Sequence, residues 1–257
     1  MDQLRINLPY EFRDYVTAGK DQYFYDYAVN EIRQGEEKGA AGEMDLLAAA
    51  VSKQVVAEYR EMCRRAGLKL RIAAPTECAY GNLIHAYTLE HPDQAGQEYC
   101  ILDLGHAATR LHIYTGSRFE ATRVVEIGGT TVDSAIAGAM SVDEHVARTY
   151  KEANHEKAQA LEEPRSVYTN IAIEVMKAIN FYGFNNRESD LQHIYYCGGS
   201  AKIGLLLDAI AETGELRRQT QTTGLTLHNI EELLPPIEGD EKPDAGLCAA
   251  AVGITMQ

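Results

Sequence analysis

The residues best suited to chemistry stand at two glycine bends. The first is Asp103-Leu104-Gly105-His106-Ala107-Ala108-Thr109, entered from the apolar run Tyr99-Cys100-Ile101-Leu102. Glycine lets a backbone approach an anion closely, and the N–H groups of a tight bend can point at one. An aspartate beside a phosphate is repelled unless a cation stands between them, so Asp103 suits Mg²⁺ and its waters. Thr109 would add a hydroxyl donor. The same Asp and Gly also serve a plain β-hairpin for backbone reasons, and that reading stays open.

The second bend is Tyr195-Tyr196-Cys197-Gly198-Gly199-Ser200-Ala201-Lys202-Ile203. Here a strand breaks at two glycines and a helix begins. A helix start offers free N–H groups and a positive dipole end to an anion. Paired glycines also leave room for a flat adenosine against Gly198, Gly199 and Ser200, although a tight strand–helix joint needs the same residues. The sequence contains neither GxGxxG nor GxxxxGK[ST], which removes the Rossmann and P-loop readings.

Both bends need elements to hold them. Tyr23, Tyr25, Tyr27 and Val29 alternate as a strand does, Gln34–Gly42 reads as a turn or mobile loop, and Met44–Val51 as a returning strand. The Ala run within 44–51 leaves a helix open there. Residues 53–66 have helical spacing, with Val55, Val56, Tyr59 and Met62-Cys63 on one face and Gly67 as the stop. A strand is expected over 68–72 and a helix from Pro75-Thr76-Glu77 to about Leu89. Strands follow at 97–103, 108–115 and 118–127, then a helix from Gly128-Gly129 through Met140. A helical zone at 141–163, a helix from Pro164 to Tyr182, a strand at 191–197 and a helix at 201–213 come next. Pro235-Pro236 and Lys242-Pro243 bracket a loop, and Ala245–Gly253 closes the chain as a helix of small residues. Alternating strands and helices make the class mixed α/β.

The bulk composition bounds the partners. The chain has 257 residues and a net charge of -14, which argues against a nucleic-acid backbone. The five cysteines form no CxxC pair, which speaks against a zinc cluster or disulfide framework and for a reducing compartment. No apolar run approaches the roughly 18–20 residues that cross a bilayer. A cytoplasmic protein is expected, reaching a membrane only through a partner.

The order of these features resembles the actin-like ATPase superfamily: a small-residue helix at Ala74–Asn82, an Asp-Gly hairpin, a Gly-Gly joint and a closing small-residue helix. Within it, the sequence is most similar to the PilM family of type IV pilus assembly proteins, relatives of FtsA. The carriers are Leu46–Lys53 with the helix ending Arg65-Ala66-Gly67-Leu68, then Ile101–Gly105 running to Ile127-Gly128-Gly129. Ile179-Asn180-Phe181-Tyr182 followed by Tyr196–Gly199 completes the set. The likeness spans roughly residues 10–255.

The resemblance implies an actin-like, ribonuclease H-like two-lobed fold with a small extra subdomain over 1–70, built by the hairpin and its helix. The rest of a first lobe with a hinge helix would occupy 71–96, and a second lobe 97–257, with a helical part at 141–190 and a hinge helix at 244–257. It implies ATP with Mg²⁺ held by Asp103, Gly105 and Thr109 at one bend and by Gly198, Gly199 and Ser200 at the other. The two bends would face each other across a crevice between hinged halves. It implies a cleft beside Tyr23, Tyr25 and Tyr27 for the N-terminal peptide of a PilN-like inner-membrane protein. Those tyrosines read from the residues alone as a packed aromatic sheet face.

Two departures stand out. No first phosphate hairpin precedes Leu8, so the fold is expected to be N-terminally incomplete and any ATPase activity weak. His106 follows the loop glycine directly and is a candidate phosphate donor. Two other functions remain open: a sugar or acid kinase with Asp133 as base, and a scaffold that binds no nucleotide.

Overall fold

The computed structural model describes residues 2–33, 43–220, 225–236 and 244–256. The turn expected over 34–42 and Lys242-Pro243 lie outside the described residues. The chain divides into two compact units, Met1–Pro75 and Thr76–Gln257.

The first unit contains α1 (Asp2–Glu11), β1 (Tyr23–Arg33), β2 (Glu43–Ser52) and α2 (Lys53–Arg65). β1 and β2 form an antiparallel pair in which Tyr23 faces Ser52, Tyr25 faces Ala50 and Tyr27 faces Ala48. The Ala run is therefore strand: small side chains opposite tyrosines let the rings lie across them. Ser52 ends β2 and caps α2, its hydroxyl accepting from the Gln54 N–H at 3.2 Å. Gly67, at φ 73°, stops the helix, as its freedom in the left-handed region allows. The apolar stripe of α2 is uncovered: none of its side chains is buried, and Val55, Tyr59 and Met62 are exposed.

The strand expected over 68–72 does not form. Leu68-Lys69-Leu70-Arg71-Ile72 alternates correctly, but among the described residues no strand pairs with it, and Leu68 and Ile72 are exposed. Alternation states which face a strand would bury; only a neighbour completes its backbone hydrogen bonds.

The second unit runs α3 (Thr76–Glu90), β3 (Glu98–Leu104), β4 (Thr109–Thr115), β5 (Arg118–Val125), α4 (Gly129–Met140), α5 (Glu144–Ala153), α6 (Glu162–Asn185), β6 (His193–Cys197), α7 (Gly204–Thr220), β7 (Thr226–Asn229) and α8 (Ala245–Gly253). The helical zone expected over 141–163 is interrupted after α5, where Asn154, Glu156 and Lys157 adopt left-handed φ values of 48°, 49° and 60°. One five-stranded sheet has the order β5-β4-β3-β6-β7. β3, β4 and β5 are antiparallel neighbours, while β6 runs parallel to β3 and β7 parallel to β6.

β3 is buried on both faces, which is why it reads as an unbroken apolar run. Cys100, Leu102 and Leu104 belong to a core with Val132, Ile136, Val175 and Leu206, from α4, α6 and α7. Tyr99 and Ile101 belong to a second core with Tyr80, Leu83, Ile84 and Ala249, from α3 and α8. α3 and α8 touch through small residues: a Cβ on Gly253 would strike the Ala79 carbonyl, and Asn82 Nδ2 donates to the Gly253 carbonyl at 3.2 Å.

Candidate functional site

Parallel pairing sets the site. β3 and β6 are neighbours in register, with Asp103 beside Cys197, so both chains leave the sheet at the same end. The bend after Asp103 and the bend after Cys197 are therefore side by side within one unit. Ser200 Oγ donates to the Gly105 carbonyl at 3.3 Å and ties one bend to the other. A Cβ at Gly198 would lie 2.6 Å from Asp103 Oδ1 and 2.7 Å from the Leu104 carbonyl. Only glycine fits, and its φ of 90° demands the same. The expected crevice between the bends is corrected to direct contact: adjacent parallel strands have no gap between their ends.

A second glycine pair, Gly128-Gly129, completes the cluster. The start of α4 docks on the first bend, with the Gly129 N–H donating to the Gly105 carbonyl at 3.0 Å and the Thr130 N–H to the His106 carbonyl at 2.8 Å. The Thr130 hydroxyl also donates to the His106 carbonyl, at 3.2 Å. The loop carbonyls are thus engaged, whereas among the described residues no hydrogen bond uses the His106 or Ala107 N–H. Those two donors, with the exposed His106 side chain, are what the bend offers to an anion.

Ser200 is buried and Gly199 exposed, with only a Leu247 methyl near the position of a Cβ. Thr109 is buried, and its hydroxyl donates to the Ile127 carbonyl at 2.9 Å, so this group is already committed inside the fold.

Asp103 lies on the α3 face with a polar group that no local spacing signals. His112, 1% exposed, is in register with Ile101 two positions along. Its Nδ1 meets the Thr122 hydroxyl at 3.1 Å and Glu77 Oε1 at 3.5 Å, while its Nε2 has no hydrogen-bond partner. Tyr80 OH contacts Cys197 Sγ at 3.4 Å. Burial raises the Asp103 pKa, and His112 and Arg110 pull it partly back. Burial lowers that of His112 against the pull of Glu77 and Asp103. The Cys197 thiol is pushed up to about 12, chiefly by burial. In all three groups burial disfavours the charged form.

Asp133, the candidate base named from the sequence, pairs with Lys151, which sequence reasoning did not single out. Both are almost fully buried, the ammonium lies 2.7 Å from Asp133 Oδ1, and it donates to the Gly129 carbonyl at 3.0 Å. The carboxylate contact is a charge pairing without hydrogen-bond alignment. A carboxylate so engaged presents no open base to a substrate, which removes the support for the kinase reading.

In the first unit Tyr23, Tyr25 and Tyr27 are all half-buried on one strand face. Tyr25 contacts Phe12 at 5.8 Å and Tyr23 at 6.3 Å between ring centres. Hydrogen bonds from Thr17 and Ala18 lower the Tyr23 pKa. Tyr23 and Tyr25 thus belong to an aromatic cluster, as the residues alone suggested.

Among the described residues no three His, Cys, Asp or Glu side chains converge as metal ligands, and no helix is long and apolar enough to cross a membrane. Asp103 alone cannot hold Mg²⁺; phosphate oxygens and water would have to fill the remaining positions.

The chain is similar over 99% of its length to a solved PilM-PilN type IV pilus biogenesis complex, with 20% identity, a TM-score of 0.73 and 72% of that chain covered. It is also similar to the ethanolamine utilization protein EutJ from Carboxydothermus hydrogenoformans, with 14% identity, a TM-score of 0.50, and 83% of this chain and 80% of that one covered. No curated protein matches it in sequence. These likenesses establish the fold class as mixed α/β, of the kind found in pilus biogenesis proteins. The family profile described as type IV pilus assembly protein PilM matches residues 2–227, and the chain belongs to that family.

Proposed function

We propose that the chain is a cytoplasmic adaptor of type IV pilus assembly, which docks the N-terminal peptide of a PilN-like membrane protein and is held at the inner membrane by it. The observation that carries this reading is the likeness along nearly the whole chain to a PilM-PilN complex, together with family membership. The half-buried tyrosine face of β1 is the proposed seat, with Tyr27 its contact residue. Fluorescence titration with the PilN-like peptide should saturate, and Tyr27→Ala should weaken binding about tenfold, or about 1.4 kcal/mol. Absence of saturable binding to the intact chain rejects the proposal.

The joined glycine bends are the proposed nucleotide seat. The His106 and Ala107 N–H groups would meet phosphate, Gly199 would leave space for adenosine, and Asp103 would act through the Mg²⁺ that accompanies ATP. The contact between Gly198 and Asp103 supports one continuous seat. Saturating Mg-ATP at about 100 times its Kd should stabilise the protein by about 2.7 kcal/mol in a thermal shift assay. Asp103→Asn should remove only the part of that shift that needs Mg²⁺. An identical shift for variant and parent rejects the role of Asp103; no shift for the parent leaves a scaffold without nucleotide.

A further inference from the structure

Two clefts join at the β5 edge of the larger unit, at the sheet end where β3 begins. One, of about 710 Å³, is polar and is walled by Glu98, Arg118, Glu120, Tyr182, Glu188 and Asp190 among others. It is ordered: Glu98 accepts from the Tyr182 hydroxyl at 3.2 Å and the Ser189 hydroxyl at 2.7 Å. The other, of about 540 Å³, has an apolar base of Leu111, Ile113, Ala121 and Ala178, with Phe181 at its side. Glu120, Tyr182 and Asn186 line both clefts, so a single channel runs from apolar to polar.

The strand along this channel is irregular near its start. Ile113 pairs with Ala121 and Tyr114 with Phe119, which leaves Glu120 as the extra residue of a bulge. Bulges re-aim side chains at sheet edges. Here the bulge residue stands where the clefts meet, in an ion pair with Arg118 at 2.6 Å. Among the described residues β5 is the outermost strand on its side of the sheet, and an outer strand carries backbone donors and acceptors without a strand partner. On α6, Phe181 is 71% exposed and Phe184 82% exposed. Phe181 lines the apolar cleft beside β5, and two phenylalanines left in water three positions apart mark a contact surface.

We propose that this channel docks an extended segment of a partner protein, added as a sixth strand beside β5. Its alternate side chains are apolar and enter the groove under Phe181, and a Lys or Arg at one end enters the polar cleft. An added strand points every second side chain to the α6 face of the sheet, which is the face the groove occupies. The polar cleft has four carboxylates, Glu98, Glu120, Glu188 and Asp190, against the two guanidinium groups of Arg118 and Arg187. That excess selects a cationic end, in keeping with a chain of net charge -14. The inference is independent of the PilN-like peptide seat, which uses the first unit.

The test selects ligands from a displayed library of random dodecapeptides on the intact chain, then measures synthetic copies by fluorescence polarisation. The enriched peptides should alternate apolar residues and carry Lys or Arg at one end. Phe181→Asp, at an exposed position that leaves melting unchanged, should weaken them at least about tenfold. Glu188→Lys with Asp190→Lys should weaken them about fivefold, more at low salt. Titration of the PilN-like peptide should be the same for Phe181→Asp and the parent. Failure to enrich any common pattern, or equal binding by the Phe181→Asp chain, overturns the proposal. A dimer of the parent that Phe181→Asp dissociates also overturns it, by assigning the channel to a second copy.

Discussion

Replacing Lys151 by methionine is expected to destabilise the protein by about 3–5 kcal/mol, because it strands a buried carboxylate. Lys151 and Asp133 are 8% and 4% exposed, and the ammonium also holds the Gly129 carbonyl. Methionine fills much of the lysine volume, so the loss is electrostatic and not a cavity. Asp133 would then have to bury its charge without a partner. Urea denaturation followed by circular dichroism at neutral pH measures the loss. The companion variant Lys151→Met with Asp133→Leu should regain most of the stability, since an apolar pair of similar volume often replaces a buried ion pair without loss. A single variant within about 1 kcal/mol of the parent, well short of the cost of a stranded charge, would contradict the account. A double variant no better than the single would contradict it equally. The pair also joins α5 to the first turn of α4, which docks on the Asp103 bend. The single variant should therefore loosen the proposed nucleotide seat as well.

Gly253→Ala is expected to lower stability by about 2–3 kcal/mol, whereas Gly138→Ala should raise it by about 0.5–1 kcal/mol. The same methyl has opposite signs because the two surroundings differ. At Gly253 it would collide with the Ala79 carbonyl, so α3 and α8 must part and the bond from Asn82 lengthens. Backbone has no rotamer with which to yield. At Gly138, inside α4, nothing lies within 4 Å of the new methyl, and only the entropy of the unfolded chain changes. Thermal melting separates the two: a fall of about 4–12 °C for the first and a small rise for the second, at roughly 2–4 °C per kcal/mol. Equal effects would mean that helix propensity, not helix contact, decides both positions.

Much of the fold was legible because most elements here have a local signal. The tyrosine alternation of β1 and the unbroken apolar run of β3 each reflect burial repeated along a few neighbouring residues, whereas the stripe of α2 shows the helical period on a side that is not buried. The two glycine bends were legible for a related reason, since a strained turn must name its residue on the spot. Where the signal was local but the partner was not, it misled. Residues 68–72 alternate like a strand and remain irregular, while β7 gave no warning and gained its place by pairing with β6.

The sequence by itself determined the mixed α/β class, the order of most elements and the residues of both bends. Tertiary structure alone decided that the bends touch, that Thr109 is spent on Ile127, and that His112 meets Glu77 and Lys151 meets Asp133. The physical reason is range. Periods of two and 3.6 residues record which side of an element is dry, and nothing in them records what lies opposite. Partners 18 or 35 positions apart are brought together only when helices and strands dock, and docking is chosen by the whole core at once.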